Sequence, residues 1–258
     1  MKPLSDYGIM YLGSIINDSA IAKLGIQVAQ KQSDNALSRR MTELSYSHLN
    51  SKEYYLKSYI KLHHLLINIK NKPSAQQKLI VNDIERTALT FITMSKNSLD
   101  LLICILDILE NKIIRREEHL PDLYTKYTPK NSDVFNIIEI IRRTDWVFSL
   151  KECRNRILHR GYSIGIIKNN ITSDFGISLT KTELVFTEPE SNTVVGIGVE
   201  LMENNIIDIE KITQGLLYDL CKWEYEIANY FVNENIIGIT NSQSQNWINW
   251  SPRLISDY

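Results

Sequence analysis

The chain has 258 residues, which is enough to bury one substantial hydrophobic core. Its 29 basic residues balance 30 acidic ones to a formal net charge of -1, which excludes a broad basic surface for nucleic acid, so any such contact must be local. The three cysteines have no CxxC spacing and no histidines at zinc-site spacing, which argues against a disulfide framework and a structural metal and indicates a reducing compartment.

The N-terminal segment is too polar for a targeting or membrane-spanning sequence. Asp6, Asn17 and Asp18 interrupt its mildly apolar residues, so it has neither the apolar run of a secretory signal nor that of a membrane span. We therefore expect a soluble, cytoplasmic protein with no membrane partner.

Two long helices are predicted in the first half of the chain. Residues 33–72 are rich in helix formers, and Ser51 resembles a helix start within that range. Pro73 ends the helix, because proline disfavours helical geometry in the residue before it. A second helix is predicted over residues 76–112, either continuous or hinged near residues 95–98. Its second half is apolar nearly all round, which predicts a place at the centre of a helical bundle.

An extended loop and two shorter helices are predicted next. The prolines and tyrosines of residues 119–131 indicate the loop, and the helices are predicted over residues 132–143 and 149–160. Gly161 follows closely enough to end the second helix in a left-handed cap, which would hold Tyr162 beside its last turn.

A β-hairpin and a last long helix complete the predicted elements. Alternating and β-branched residues favour a hairpin over about 175–202, and an apolar stripe from Asp208 to Phe231 predicts a helix that closes the bundle. The predicted fold class is therefore mainly α. A single helical-bundle domain over residues 1–240 carries the β-hairpin as an insertion before its last long helix, and residues 241–258 form a C-terminal tail.

The helix predicted over residues 149–160 contains the most informative segment, Arg-Asn-Arg-Ile-Leu-His at residues 154–159. Arg154 can hold a phosphate with a planar fork of donors, and the imidazole of His159 can give or take a proton near neutral pH. Asn155 and His159 are four residues apart and lie close to one helix face, whereas Arg154 is about 140° from His159. Either the arginine side chain wraps back, or a second copy of the chain brings its own motif into a shared cleft about a two-fold axis.

Further basic and aromatic residues surround this motif. Lys151, Arg156, Arg160 and Tyr162 are candidates for substrate binding, and the chemistry of the motif needs neither a metal nor another cofactor. The residues alone leave an alternative open. The segment is also compatible with a surface helix whose arginines are solvated and whose histidine caps the helix end.

Taken with its helical setting, the string Arg154, Asn155, three variable residues and His159 resembles the signature of the HEPN superfamily, the higher eukaryotes and prokaryotes nucleotide-binding domains. The resemblance implies a HEPN-like helical bundle and a metal-independent endoribonuclease that acts as a homodimer on RNA. It also implies a defence or toxin–antitoxin context, with a possible antitoxin or regulatory protein as partner.

The resemblance also assigns roles to individual residues. Arg154 would bind the scissile phosphate and stabilise its extra charge, Asn155 would orient the site, and His159 would transfer the proton. Some HEPN toxins are silenced by modification of a tyrosine two residues after the motif histidine. This chain has Gly161 at that position and Tyr162 one residue later, which argues against that form of regulation.

Two other functions remain compatible with the sequence. The first is a non-catalytic HEPN-like domain that binds RNA or nucleotide, or serves as a dimeric scaffold. The second is a helical interaction module that docks a protein partner through its long apolar faces and terminal tryptophans, with the motif incidental.

Several polar residues outside the motif also carry expectations. His63 and His64 are expected to pack in the core or an interface, whereas His48 and His119 are expected to be solvated.

Two expectations concern residues that could affect the motif. Cys153 is expected to be a buried, unreactive thiol. Ser98 and Asp100 interrupt an apolar run, so they either face the motif helix and fix Arg154 or His159, or mark a hinge or surface turn.

Overall fold

A computed structural model describes residues 19–69, 74–116, 120–124, 128–168, 175–184, 197–200, 206–207 and 209–233, and it is mainly α-helical with a small antiparallel sheet. Its helices are α1 (Ala20–Lys31), α2 (Asn35–Ile69), α3 (Ser74–Asn111), α4 (Ser132–Arg143), α5 (Asp145–His159), α6 (Ile209–Leu217) and α7 (Asp219–Asn233). Its strands are β1 (Tyr162–Lys168), β2 (Phe175–Leu184), β3 (Ile197–Glu200) and β4 (Ile206–Ile207).

The two long helices α2 and α3 pack against each other in opposite directions. The ring centroids of Tyr59 and Phe91 lie 6.4 Å apart. Earlier in α2 and later in α3, the side-chain amide of Asn97 donates to the hydroxyl of Ser51 at 2.8 Å. The prediction that a helix starts at Ser51 is therefore wrong, because this side chain binds α3 from the middle of a continuous helix. Of the two alternatives for α3, the continuous helix is the one observed, and within it the Ser98 hydroxyl donates to the Ser95 carbonyl.

The second half of α3 lies at the centre of the bundle, as its apolar sequence predicts. Leu102, Ile103, Ile105 and Leu106 are all fully buried. One helical stretch among the described residues, Leu79–Asn111, is long and apolar enough to cross a membrane. Two thirds of its most apolar window, 67%, is buried inside the fold, which is also the behaviour of a core helix.

Helix α1 is absent from the sequence-based prediction. Its N-cap is Ser19, whose hydroxyl accepts a hydrogen bond from the Ala22 amide, and Ile21 and Leu24 are fully buried. A side chain on Gly25 would overlap Ser45, so α1 approaches α2 closely at this residue.

Helix α5 begins at Asp145 rather than at residue 149, because only Thr144, in extended geometry, separates it from α4. The indole of Trp146 stacks on Trp223 with ring centroids 5.9 Å apart and donates to the Asp219 carboxylate at 2.8 Å. These contacts fix α5 against α7. The predicted left-handed cap is confirmed, since Gly161 follows α5 with a φ of 68°.

The sheet is larger than the predicted hairpin. Strands β2 and β3 pair antiparallel as predicted, but β2 also pairs with β1 and β4. Strand β1 begins directly after Gly161, so the sheet continues from the motif helix instead of starting near residue 175. Ile164 faces Leu179 across the β1–β2 pair, and both are buried. The predicted turn of residues 187–192 lies outside the described residues.

The predicted last helix is two helices, which meet at Tyr218. The expected apolar face is present on both, with Ile212, Leu216 and Leu220 buried. Asp208, the predicted start, and the tail of residues 241–258 lie outside the described part of the chain.

Replacing Gly215 by alanine is expected to destabilise the protein by about 1–3 kcal/mol, the usual cost of overfilling a packed core. A methyl group at this position would overlap the indole of Trp146, so α6 and the motif helix would have to separate. Urea unfolding measures the change. The matched control is Gln214→Ala on the exposed side of α6, which should change stability by less than about 0.5 kcal/mol. An unchanged Gly215→Ala protein would contradict the packing of α6 on α5.

Candidate active site

An open cleft of about 620 Å³ lies between α3, the segment of residues 120–124 and α5. Its volume falls within the range of roughly 300–1,000 Å³ that is usual for small-molecule sites. Three basic and two acidic residues line it, together with amide and aromatic groups. The polar lining consists of Lys96, Asn97 and Asp100 on α3, Asp122 and Tyr124 on the segment, and Lys151, Arg154 and Asn155 on α5.

Arg154 is the least neutralised charge in this cleft. It is half-buried, and it has no ion pair or hydrogen bond to any other residue in the described ranges. Desolvating a guanidinium without a partner carries a cost, which an incoming anion would relieve. Asn155 lines the same cleft beside it, so the first two residues of the motif lie together.

Lys151 adds a second cation to the α5 side of the cleft. Its ammonium lies 3.9 Å from the centre of the Tyr124 ring and 5.8 Å from that of Phe148, which are cation–π contacts. Neither ring neutralises the charge. Burial, together with the charge of Asp100, raises the pKa of Tyr124 to about 12, so its hydroxyl stays protonated at neutral pH.

On the α3 side of the cleft, Asp100 links α3 to the segment of residues 120–124. Its carboxylate pairs with Lys96 on the same helix and accepts a hydrogen bond from the Leu123 amide at 3.2 Å. The thiol of Cys104 donates to the Pro121 carbonyl at 3.2 Å, which anchors the segment a second time. Asp100 therefore faces the same cleft as the motif helix.

His159 lies apart from this cleft. It is the last residue of α5, it is exposed, and the cleft lining in the described structure does not include it. One chain by itself therefore brings Lys151, Arg154 and Asn155 together but does not add the imidazole. His159 lies about 140° round the helix from Arg154 and one turn beyond Asn155, which explains the difference.

The other candidate residues lie near the end of α5. The guanidinium of Arg156 is 5.8 Å from the centre of the Tyr162 ring, as expected if Gly161 turns the chain back on the helix. The guanidinium of Arg160 is exposed and lies 4.0 Å from the Glu152 carboxylate. Like His159, these residues do not line the cleft. Cys153 is only partly buried, rather than buried as expected, but desolvation by its surroundings raises the pKa of its thiol to about 11, which disfavours the reactive thiolate.

A buried ionic network between α1, α2 and α7 was not predicted from the sequence. Glu224 of α7 is 1% exposed and accepts hydrogen bonds from Lys52 at 2.7 Å, from His48 at 2.9 Å and from the Ser19 hydroxyl. The prediction that His48 is solvated is wrong, because it is fully buried. The side chain of Cys221 lies 3.9 Å from the Lys52 ammonium. The network joins α1, α2 and α7, which gives it a structural role.

The histidine expectations for α2 hold only in part. His63 is buried and packs near the ring of Tyr59, as expected, whereas His64 is exposed. His119 lies outside the described residues. A signal for His48 was present in the sequence, since His48, Lys52 and Tyr55 follow one another at steps of four and three along the buried stripe of α2.

A scan against protein-family models gives no match, and searches of curated proteins and of solved structures give none either.

Proposed function

We propose that the protein is a HEPN-type, metal-independent endoribonuclease. The observation that supports this most directly is Arg154, a cation without a partner among the described residues in an open cleft that also holds Lys151 and Asn155. An RNA backbone phosphate supplies the charge that these two cations lack. Lys96 adds little attraction of its own, because Asp100 already pairs with it.

The proposed reaction is attack of a ribose 2′-hydroxyl on the adjacent phosphorus. The O2′–P bond forms, the P–O5′ bond breaks, a base accepts the 2′ proton, and an acid protonates the departing 5′ oxygen. The products are a 2′,3′-cyclic phosphate and a free 5′-hydroxyl. Arg154 would stabilise the extra negative charge, and His159 would transfer the proton. DNA lacks the nucleophile and would not be cut.

A second copy of the chain completes this site in the proposal. Phe148, Asn155 and His159 lie within about 20° of one line along α5, since they are seven and four residues apart. Phe148 on this line is 52% exposed, which leaves apolar area for a symmetric partner, and Leu158, 50% exposed, lies about 80° round the helix from it. Such a partner would bring its His159 towards the Arg154 cleft, with Arg156, Arg160 and Tyr162 at the rim for RNA.

The second candidate is a non-catalytic domain that binds RNA or nucleotide, or a dimeric scaffold. The position of His159 outside the cleft favours it, because binding a phosphate needs only Arg154, Asn155 and Lys151. A protein of this kind would bind RNA and leave it uncut.

Mixing two inactive variants tests the shared site. We expect Arg154→Ala and His159→Ala homodimers to be inactive, because each lacks one group in both centres. A mixed dimer, purified through two different tags, keeps one centre with Arg154 from one chain and His159 from the other. It should recover about half the wild-type rate per dimer. Cleavage of labelled RNA in EDTA is the measurement.

The control is a mixed dimer of Arg143→Ala and His159→Ala chains, in which Arg143→Ala takes the place of Arg154→Ala. Arg143 is an exposed arginine at the end of α4. Arg143→Ala homodimers should cut at the wild-type rate. A mixed Arg154→Ala and His159→Ala dimer that stays inactive would exclude a centre built from one arginine and one histidine of different chains. Wild-type protein that binds RNA without cutting it would favour the second candidate.

A further inference from the structure

We infer that the α3 side of the cleft reads the base next to the scissile phosphate and selects a base that carries an exocyclic amino group. This inference rests on the proposed function and names the substrate class of the same site. It starts from two pairs of side chains that face each other across the cleft. Lys151 and Arg154 are three residues apart on α5, and Asn97 and Asp100 are three residues apart on α3.

The α3 pair presents hydrogen-bond acceptors. One oxygen of the Asp100 carboxylate accepts from both Lys96 and the Leu123 amide, and the other has no hydrogen bond to a described residue. The carboxylate is only partly covered, with its side chain 24% exposed. Asn97 uses its amide nitrogen to donate to Ser51, which turns its carbonyl oxygen into a second acceptor. An ionised carboxylate accepts several hydrogen bonds and donates none.

Acceptors at this position favour bases that present an amino group. Cytosine and adenine carry one at C4 and C6, and guanine carries one at C2, whereas uracil has a carbonyl oxygen at C4 and donates only through its ring N3–H. In the position where cytosine donates its amino group, uracil would place its O4 against the Asp100 carboxylate without a proton between them. With the phosphate bound at Arg154 and Lys151, the ligand that fits both sides is an RNA nucleotide with an amino-bearing base.

Binding measured without cleavage tests this inference. In a His159→Ala background, short oligomers of adenosine and of cytidine should bind about ten-fold more tightly than oligomers of uridine, the discrimination usual for one base-edge contact. Fluorescence anisotropy at one fixed salt concentration gives the affinities. Adding Asp100→Asn keeps one oxygen for Lys96 and Leu123 but replaces the free acceptor with a donor. It should abolish or reverse the preference against uridine.

The matched control is Asp133→Asn, which removes an exposed carboxylate at the start of α4 and should leave the preference unchanged. Asn97→Ala, which does not touch the Lys96 pair, should weaken the preference in a protein of normal melting temperature. Equal affinity for the three oligomers, or an unchanged preference in both α3 variants, would overturn the inference. If the wild type cuts RNA with no base preference, only the inference about base selection is contradicted. If it binds amino-bearing bases preferentially but does not cut, only the proposed nuclease activity is contradicted.

Discussion

Replacing His159 by alanine is expected to lower the rate of RNA cleavage by about 10²- to 10⁴-fold, the contribution of a positioned acid–base group. His159 is exposed at the end of α5, so the change should cost little stability and the folded fraction should stay the same. The measurement is cleavage of a labelled RNA with EDTA present, with the products analysed for a cyclic phosphate end. Affinity for uncut RNA should change much less, because Arg154 and Lys151, which hold the phosphate in the proposal, are unchanged.

His64→Ala is the matched control for this experiment, since His64 is also an exposed histidine but lies on α2. It should cut RNA at the wild-type rate. If the His159→Ala protein cuts as fast as the control, the histidine has no part in the reaction.

Local signals in the sequence predicted two features beside the motif correctly. The helix over residues 132–143 and the left-handed cap at Gly161 have the predicted positions, because an N-cap, an apolar period and a glycine act within a few residues. Lys151, Arg154 and Asn155 were likewise singled out from the motif helix alone, and the structure brings them to one cleft.

What the sequence did not reveal depends on partners that are distant along the chain. Strand β1 is stabilised by its pairing with β2, which a reading of β1 alone does not show. The hydrogen-bond acceptors of the cleft lie on α3, about 50 residues before the motif. Lys52 and Glu224 are residue types that are almost never fully buried unless they are paired. Their pairing joins positions 172 residues apart, so no local pattern could show it.

Replacing Glu224 by glutamine is expected to destabilise the protein by about 3–5 kcal/mol. The change keeps the volume of the side chain but leaves the Lys52 ammonium, which is 0% exposed, without its buried anion. Urea unfolding at neutral pH measures the loss. Glu226→Gln, two residues along α7, is the matched control, because its pair with Lys222 is exposed and should contribute less than about 1 kcal/mol. Equal losses in the two variants would contradict the buried network.

Removing both charges separates the cost of an unpaired charge from the value of the pair. The double variant Lys52→Met with Glu224→Gln should recover much of the stability that Glu224→Gln loses, because no charge is then left buried without a partner. A double variant less stable than Glu224→Gln alone would show that Lys52 stabilises α2 by other contacts.

The same network predicts how the protein responds to acid. Burial opposes ionisation of Glu224, but the charges and hydrogen bonds of Lys52 and His48 outweigh it and lower the pKa of the carboxyl from 4.5 to about 2. A depressed pKa in the folded state gives stability that is fully present above pH 4.5 and is lost as the pH falls towards 2. Unfolding free energies measured across this interval should therefore fall more steeply for the wild type than for Glu224→Gln. Parallel curves would mean that Glu224 is not the carboxylate whose protonation makes the fold sensitive to acid.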